Sequence, residues 1–188
     1  MLFRSQGLVC TGIWILAHEC GHGAFSLHRR LNDFVGWALH SYLMVPFFSW
    51  KFSHARHHKY TGHMEKDMAF VPATKEEHEH KLKTQWWHAD LVEDAPAFVL
   101  LKLIGHQLFA WPAYLLFNLS SGPKSLQGEK TWYRISHFDP LGSVFRPSEA
   151  IYIFLSDVGL AITGYGLYRA AQVLDAQTVF LLYANPWF

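Results

Sequence analysis

Only two of the 188 residues are cysteine, Cys10 and Cys20, too few for a disulfide framework, so nothing in the chain calls for an oxidising compartment. Charge is also scarce. Asp, Glu, Lys and Arg make up 16% of the residues, against roughly 25% in soluble domains. A net charge of +1 with scattered basic residues leaves no electrostatic footprint for nucleic acid. The sequence lacks an internal repeat, a low-complexity tract and an interdomain linker. It also lacks a secretory signal, since no small-residue cleavage site follows a basic start. What it has in excess is apolar surface, 51% hydrophobic and 16% aromatic residues, and with the charge deficit this points to a membrane protein. Mean hydropathy is only +0.04 because polar residues gather between 51 and 94, while 95–119 and 150–168 are nearly free of them.

Residues 95–119, APAFVLLKLIGHQLFAWPAYLLFNL, predict a transmembrane helix. At 1.5 Å per residue the run is about 37 Å long, enough for a hydrocarbon core of about 30 Å with some tilt. Pro112 should bend it, and Lys102 and His106 share one face. A polar pair inside a span points to a bundle interior or an aqueous cavity. A second span is expected over 150–170, interrupted by Asp157, with Gly159, Ala161, Gly164 and Gly166 allowing close helix packing. The apolar run 7–17 is too short to cross alone. Residues 31–52 are apolar and aromatic, contain Pro46 and carry basic residues at both ends, which predicts an interfacial or re-entrant segment. The expected fold class is all-α, an integral membrane helical bundle with a cytosolic histidine-rich cap. Residues 75–83, KEEHEHKLK, read as a solvated helical face.

Two of the clusters among the 13 histidines stand out. The first is His18-Glu-Cys-Gly-His22 and the second His54-Ala-Arg-His57-His58. On a helix, residues four apart lie about 40° from each other, so His18 and His22 converge. His57 and His58 fall about 60° and about 40° to either side of His54. Several imidazoles aimed at one point read as a metal site. The first cluster matches the zinc-protease pattern H-E-x-x-H, with Glu19 as general base, but that reading leaves the second cluster unexplained. A catalytic zinc takes three protein ligands and a water, and five convergent imidazoles exceed this. A dinuclear iron centre suits the surplus better.

The runs AHECGHGAFS, HARHH, TGHMEKDMAFVP and SHFDP together resemble the membrane fatty acid desaturases, most closely their fungal Δ12 (oleate) branch. The resemblance covers nearly the whole chain and is most specific over 17–72. It implies a histidine-ligated diiron enzyme in the endoplasmic reticulum membrane, multi-pass, with its histidines facing the cytosol. Such an enzyme uses O2 and two electrons delivered through cytochrome b5 and its reductase. Its substrate is an acyl-lipid or acyl-CoA, from which it removes two hydrogens. By motif, His18 and His22 match the first histidine box and His54, His57 and His58 the second, with Glu19 and Asp67 as candidate supports for the ligand rings. His63 is a further candidate ligand, and Trp37, Phe47, Phe48 and Trp50 are candidate walls of an acyl slot.

One departure carries an expectation of its own. The family's third histidine box is absent, the last histidine being His137. The chain is therefore expected to be a partial desaturase domain, residues 1–188, inactive alone, with the activity belonging to a longer protein. The neighbouring activities stay open at this point: an ω-3 desaturase, a hydroxylase, an acetylenase, or a non-catalytic truncated paralogue.

Overall fold

The computed structural model describes residues 2–84, 95–128 and 133–185, and among these there are helices and no strand. Helix α1 (Leu2–His22) carries the first histidine cluster at its C-terminal end. Gly23 stops it immediately after His22. With φ at 77° it lets its own N–H reach the Cys20 carbonyl, 3.0 Å, and the Ala24 N–H reach that of Glu19, 2.9 Å, which satisfies the last turn. Asn32 then ties down the connection: its side chain accepts from the Ser26 N–H and donates to the Ser26 carbonyl.

Residues 31–52 are not one segment but parts of two helices, α2 (Arg29–Tyr42) and α3 (Phe47–Tyr60). Proline is the reason. Pro46 has fixed φ and no N–H, so it cannot continue α2 and instead precedes the first turn of α3. The turn closes with Met44 in the left-handed region, φ 54°, and a Val45 N–H bond to the His40 carbonyl. This reversal sends α3 back along α1, which brings the second histidine cluster beside the first.

Helix α4 (Lys75–Thr84) is the solvated helix read from its charges. Helix α5 (Pro96–Phe117) starts with proline in its first turn and ends at Asn118, whose left-handed backbone, φ 48°, returns its N–H to the Tyr114 carbonyl. Helix α6 (Ala150–Leu174) follows a short 3-10 turn, and a short turn α7 (Ala176–Val179), capped by the Asp175 carboxylate on the Thr178 N–H, leads into a π-helical turn over Phe180–Ala184. Helix α5 and the stretch Pro147–Leu174 are both long and apolar enough to cross a membrane. Only 6% and 17% of their most apolar windows are buried, so neither is the core helix of a soluble protein. Their apolar side chains need lipid or further helices, as an all-α membrane bundle requires.

The packed core joins α1, α2 and α3 through Cys20, Leu43, Val45, Phe47, Phe48 and Trp50. Gly36 is what lets α2 lie so close: a Cβ there would sit 2.3 Å from the Phe47 ring and 3.0 Å from the Cys20 Cβ. Helix α6 docks on α2 and α3 through polar contacts. The Trp37 indole donates to the Leu155 carbonyl at 2.8 Å, and the Phe48 N–H to the Ser156 hydroxyl at 2.9 Å. Gly159 sits under Ser41 and Trp37, where an added Cβ would come within 2.1 Å of the Ser41 Oγ.

Candidate metal centre

The geometry starts with the two pairs of histidines spaced four apart, His18/His22 on α1 and His54/His58 on α3. Their Nε2 atoms form a chain: His22 to His18, 3.3 Å; His18 to His54, 3.0 Å; His54 to His58, 3.0 Å. One ligand atom from each of His18, His22 and His54 can be enclosed within 4.8 Å. These spacings are those of neighbouring corners of a coordination shell. With metal–nitrogen bonds of about 2.0–2.1 Å, adjacent ligands lie about 3.0 Å apart in an octahedron and about 3.3 Å apart in a tetrahedron. The donor set therefore fits a cation bound by neutral imidazoles.

Two carboxylates orient the rings from behind. The Glu19 Oε1 accepts from the His18 Nδ1–H at 3.0 Å, which leaves the His18 Nε2 lone pair facing the cluster. This is a supporting position and not the metal-facing one a zinc-protease general base needs. The His57 Nδ1–H donates to Asp67 Oδ1 at 2.7 Å. Asp67 is 2% exposed and accepts from three further N–H groups, those of Ala69, Phe70 and Gly62. Burial pushes its carboxyl up, but the His57 bond and the Ala69 and Gly62 N–H groups outweigh this and hold it below the usual carboxylate range. The Asp67 loop is in turn clamped by the connection after α5, with the Gly122 N–H on the Asp67 carbonyl and the Tyr114 hydroxyl on the Met68 carbonyl.

Electrostatics keep the cluster in its ligand form. Burial, then the neighbouring His18, His58, His22 and His57, push His54 down to about 3, so its ring is neutral at physiological pH. Burial, then His18 and His58, lower His22 as well. The five histidines of the two clusters are not equivalent: four present Nε2 to one another, while His57 is turned toward Asp67 on the flank of the same helix. His63 stands apart, exposed, with its Nδ1 accepting from the Glu65 N–H. His78 and His80 lie on the exposed α4, and His88 lies outside the described residues.

Beside the imidazoles opens a mostly apolar cavity of about 690 Å³. His54, His57 and Trp50 wall it on one side, and His106, Ala110, Ala113 and Tyr114 of α5 on the other. Of the four aromatics expected to line a slot, Trp50 does. Phe47 and Phe48 are spent on the α1–α2–α3 core and do not reach the cavity, and Trp37, on α2, is spent on its bond to α6. His106 lines the cavity, and Lys102, also exposed, does not. Trp14 escaped the sequence reading. It stacks on His18 at 5.5 Å, and its position four residues before His18 on one helix was the available signal. The stripe 106, 110, 113, 114 on α5 carried a similar one.

A helical membrane bundle thus gathers imidazoles against an apolar cavity. The chain matches the fatty acid desaturase family over residues 4–183, and it belongs to that family. It is 42% identical to the Δ(12) fatty acid desaturase of Mortierella alpina over 97% of this chain and 46% of that protein. It is 39% identical to the Δ(12)-fatty-acid desaturase of Arabidopsis thaliana, over 99% of this chain and 45% of the relative. Similarity extends to an oleate hydroxylase of Claviceps purpurea, 42% identical over 84% of this chain and 35% of the relative. The chain thus spans less than half the length of these relatives. No solved structure matches it.

Proposed function

We propose that the protein containing this chain desaturates an acyl chain with O2 at a histidine-ligated diiron centre, converting an oleoyl to a linoleoyl group. The observation that carries this reading is the row of Nε2 atoms of His22, His18, His54 and His58, at 3.0–3.3 Å, opening on an apolar cavity. His18, His22, His54, His57 and His58 would hold the iron. When bound, iron supplies the O2 activation and hydrogen abstraction that no side chain can perform on a saturated methylene. The chain's own residues do the rest. Glu19 and Asp67 fix the tautomers of His18 and His57. Trp50, Ala110 and Ala113 seat a featureless hydrocarbon by shape and keep water from it. The relatives' extra length offers room for further ligands to complete the set.

The assignment carries with it a membrane of the endoplasmic reticulum, histidines on the cytosolic side, and electrons from cytochrome b5 and its reductase. The acyl group arrives on a lipid or on coenzyme A. Residues 1–188 are read as part of one desaturase domain. A hydroxylase is the second reading, favoured by the relatives in Claviceps purpurea and Ricinus communis, which are oleate hydroxylases by name. The test is expression of the 188-residue chain and of the longer transcript around it in a yeast lacking linoleate, followed by fatty acid profiling. Linoleate from the long form alone supports the reading. A hydroxy acid supports the second reading, and no new product from either form refutes both.

A further inference from the structure

A second apolar cavity, about 450 Å³, lies beyond the first. Leu43, Met44 and Val45 of the α2–α3 turn, Leu108 and Pro112 of α5, and Tyr183 line it, and no histidine among the described residues does. The two cavities share two wall residues, Trp14 and Trp111. We propose that Trp14 and Trp111 are the partition that ends the slot beside the histidines, and so set how much of the bound acyl chain extends past the reacting carbons on its methyl side.

The inference rests on the acyl reading above and goes on to name the residues that measure the chain. The two indoles are held differently. Trp14 is fixed among three rings, His18, His40 and Trp50, at 5.5 to 5.8 Å. Trp111 has a ring contact with Tyr114 at 5.8 Å, is 37% exposed, and sits immediately before Pro112. Trp111 is therefore the leaf of the partition that can be cut back without unpacking α1. Behind it the second cavity is already apolar. Tyr183 also lines it, held in place by a hydroxyl bond to the Tyr42 carbonyl and an edge-on ring contact with Tyr42 at 6.0 Å. Removing the Trp111 ring joins the cavities into one longer slot, and each pair of methylenes that enters it raises affinity roughly fifteenfold.

The experiment uses the longer protein that contains this chain, purified in detergent, with cis-parinaric acid as the bound fluorescent probe. Monounsaturated fatty acids of sixteen to twenty-two carbons displace it. In the unaltered protein, affinity is expected to rise with length to a limit. In Trp111→Ala that limit moves to longer acids, with the roughly fifteenfold gain per two carbons, and in Trp111→Leu it moves part of the way. Adding Leu108→Trp to Trp111→Ala refills the second cavity and restores the original limit. A limit that stays put in both Trp111 variants overturns the partition and leaves the acyl reading standing. A lengthening that Leu108→Trp does not reverse also overturns it, since loosened packing then explains the gain. Failure of the unaltered longer protein to bind the probe overturns the acyl reading, and the partition with it.

Discussion

Replacing Asp67 by asparagine changes one atom and isolates what the carboxylate does for His57. In the chain Oδ1 takes the His57 Nδ1–H at 2.7 Å and the Ala69 N–H at 2.9 Å, while Oδ2 takes the Gly62 N–H at 3.1 Å. An asparagine that keeps its oxygen on His57 and Ala69 must point its NH2 at the Gly62 N–H, donor against donor. The flipped amide is worse, because it opposes three N–H groups, those of His57, Ala69 and Phe70. With a side chain 2% exposed, the uncompensated donor costs about 1–3 kcal/mol of stability. The His57 bond also loses its charge, so the ring is held more weakly and its Nε2 becomes less basic. Loss of such an outer partner lowers metal affinity by about 10–100-fold, equivalent to about 1.4–2.7 kcal/mol. Two assays separate the effects: anaerobic titration with cobalt(II), read by its visible absorption, and urea denaturation of the same preparations without metal. Asp67→Asn is expected to fall in both, and His57→Phe to make it insensitive in the first. Unchanged cobalt affinity beside reduced stability would refute the argument and leave Asp67 a loop anchor.

Two other outcomes test the packing and the titration. Gly36→Ala drives a methyl into the Phe47 ring, and a clash at 2.3 Å in the α1–α2–α3 core should cost about 1–3 kcal/mol, measured by urea denaturation in detergent. The same change at Gly12, where a Cβ meets nothing within 4 Å, is the control. Stability should also fall with acid because of His137, which burial pushes down to about 4 against the nearby Leu115 and Tyr114 backbone. As pH falls below the ordinary value near 6.5, the unfolded chain gains the proton first and the folded chain only near 4. The contribution is thus complete above about 6.5 and lost between there and about 4, up to about 3 kcal/mol. Denaturation midpoints at several pH values should show this slope together with those of His40 and His54, and His137→Phe, whose ring still meets Tyr114 and Phe145, should remove only the His137 share.

The two long apolar helices were legible because length and polarity are local properties, and their bounds came within a few residues. The convergence of His18 with His22 and of His54 with His58 was legible for a related reason, since helical periodicity fixes which side chains share a face. Periodicity does not say what that face meets. Phe47 and Phe48 have the chemistry of a slot wall, yet the turn at Met44 and Pro46 aims them into the core, and the wall is built instead by Ala110 and Ala113 from α5. Asp67 was readable as a support for a ligand ring, but its pairing with His57 depends on a loop closed by Gly62 and clamped from residue 122. No spacing rule reaches that far along the chain.

Gly159 carries a consequence for how this sequence can change over generations. With the Ser41 hydroxyl and the Trp37 indole pressed against its bare Cα, any side chain at 159 collides before selection can weigh its merits. A side chain at 159 is admitted only where the Ser41 hydroxyl and the Trp37 indole shift or shrink, and displacing Trp37 forfeits its bond to Leu155. The three positions are therefore expected to change together, so that an alanine at 159 in a descendant reports a rearrangement on α2.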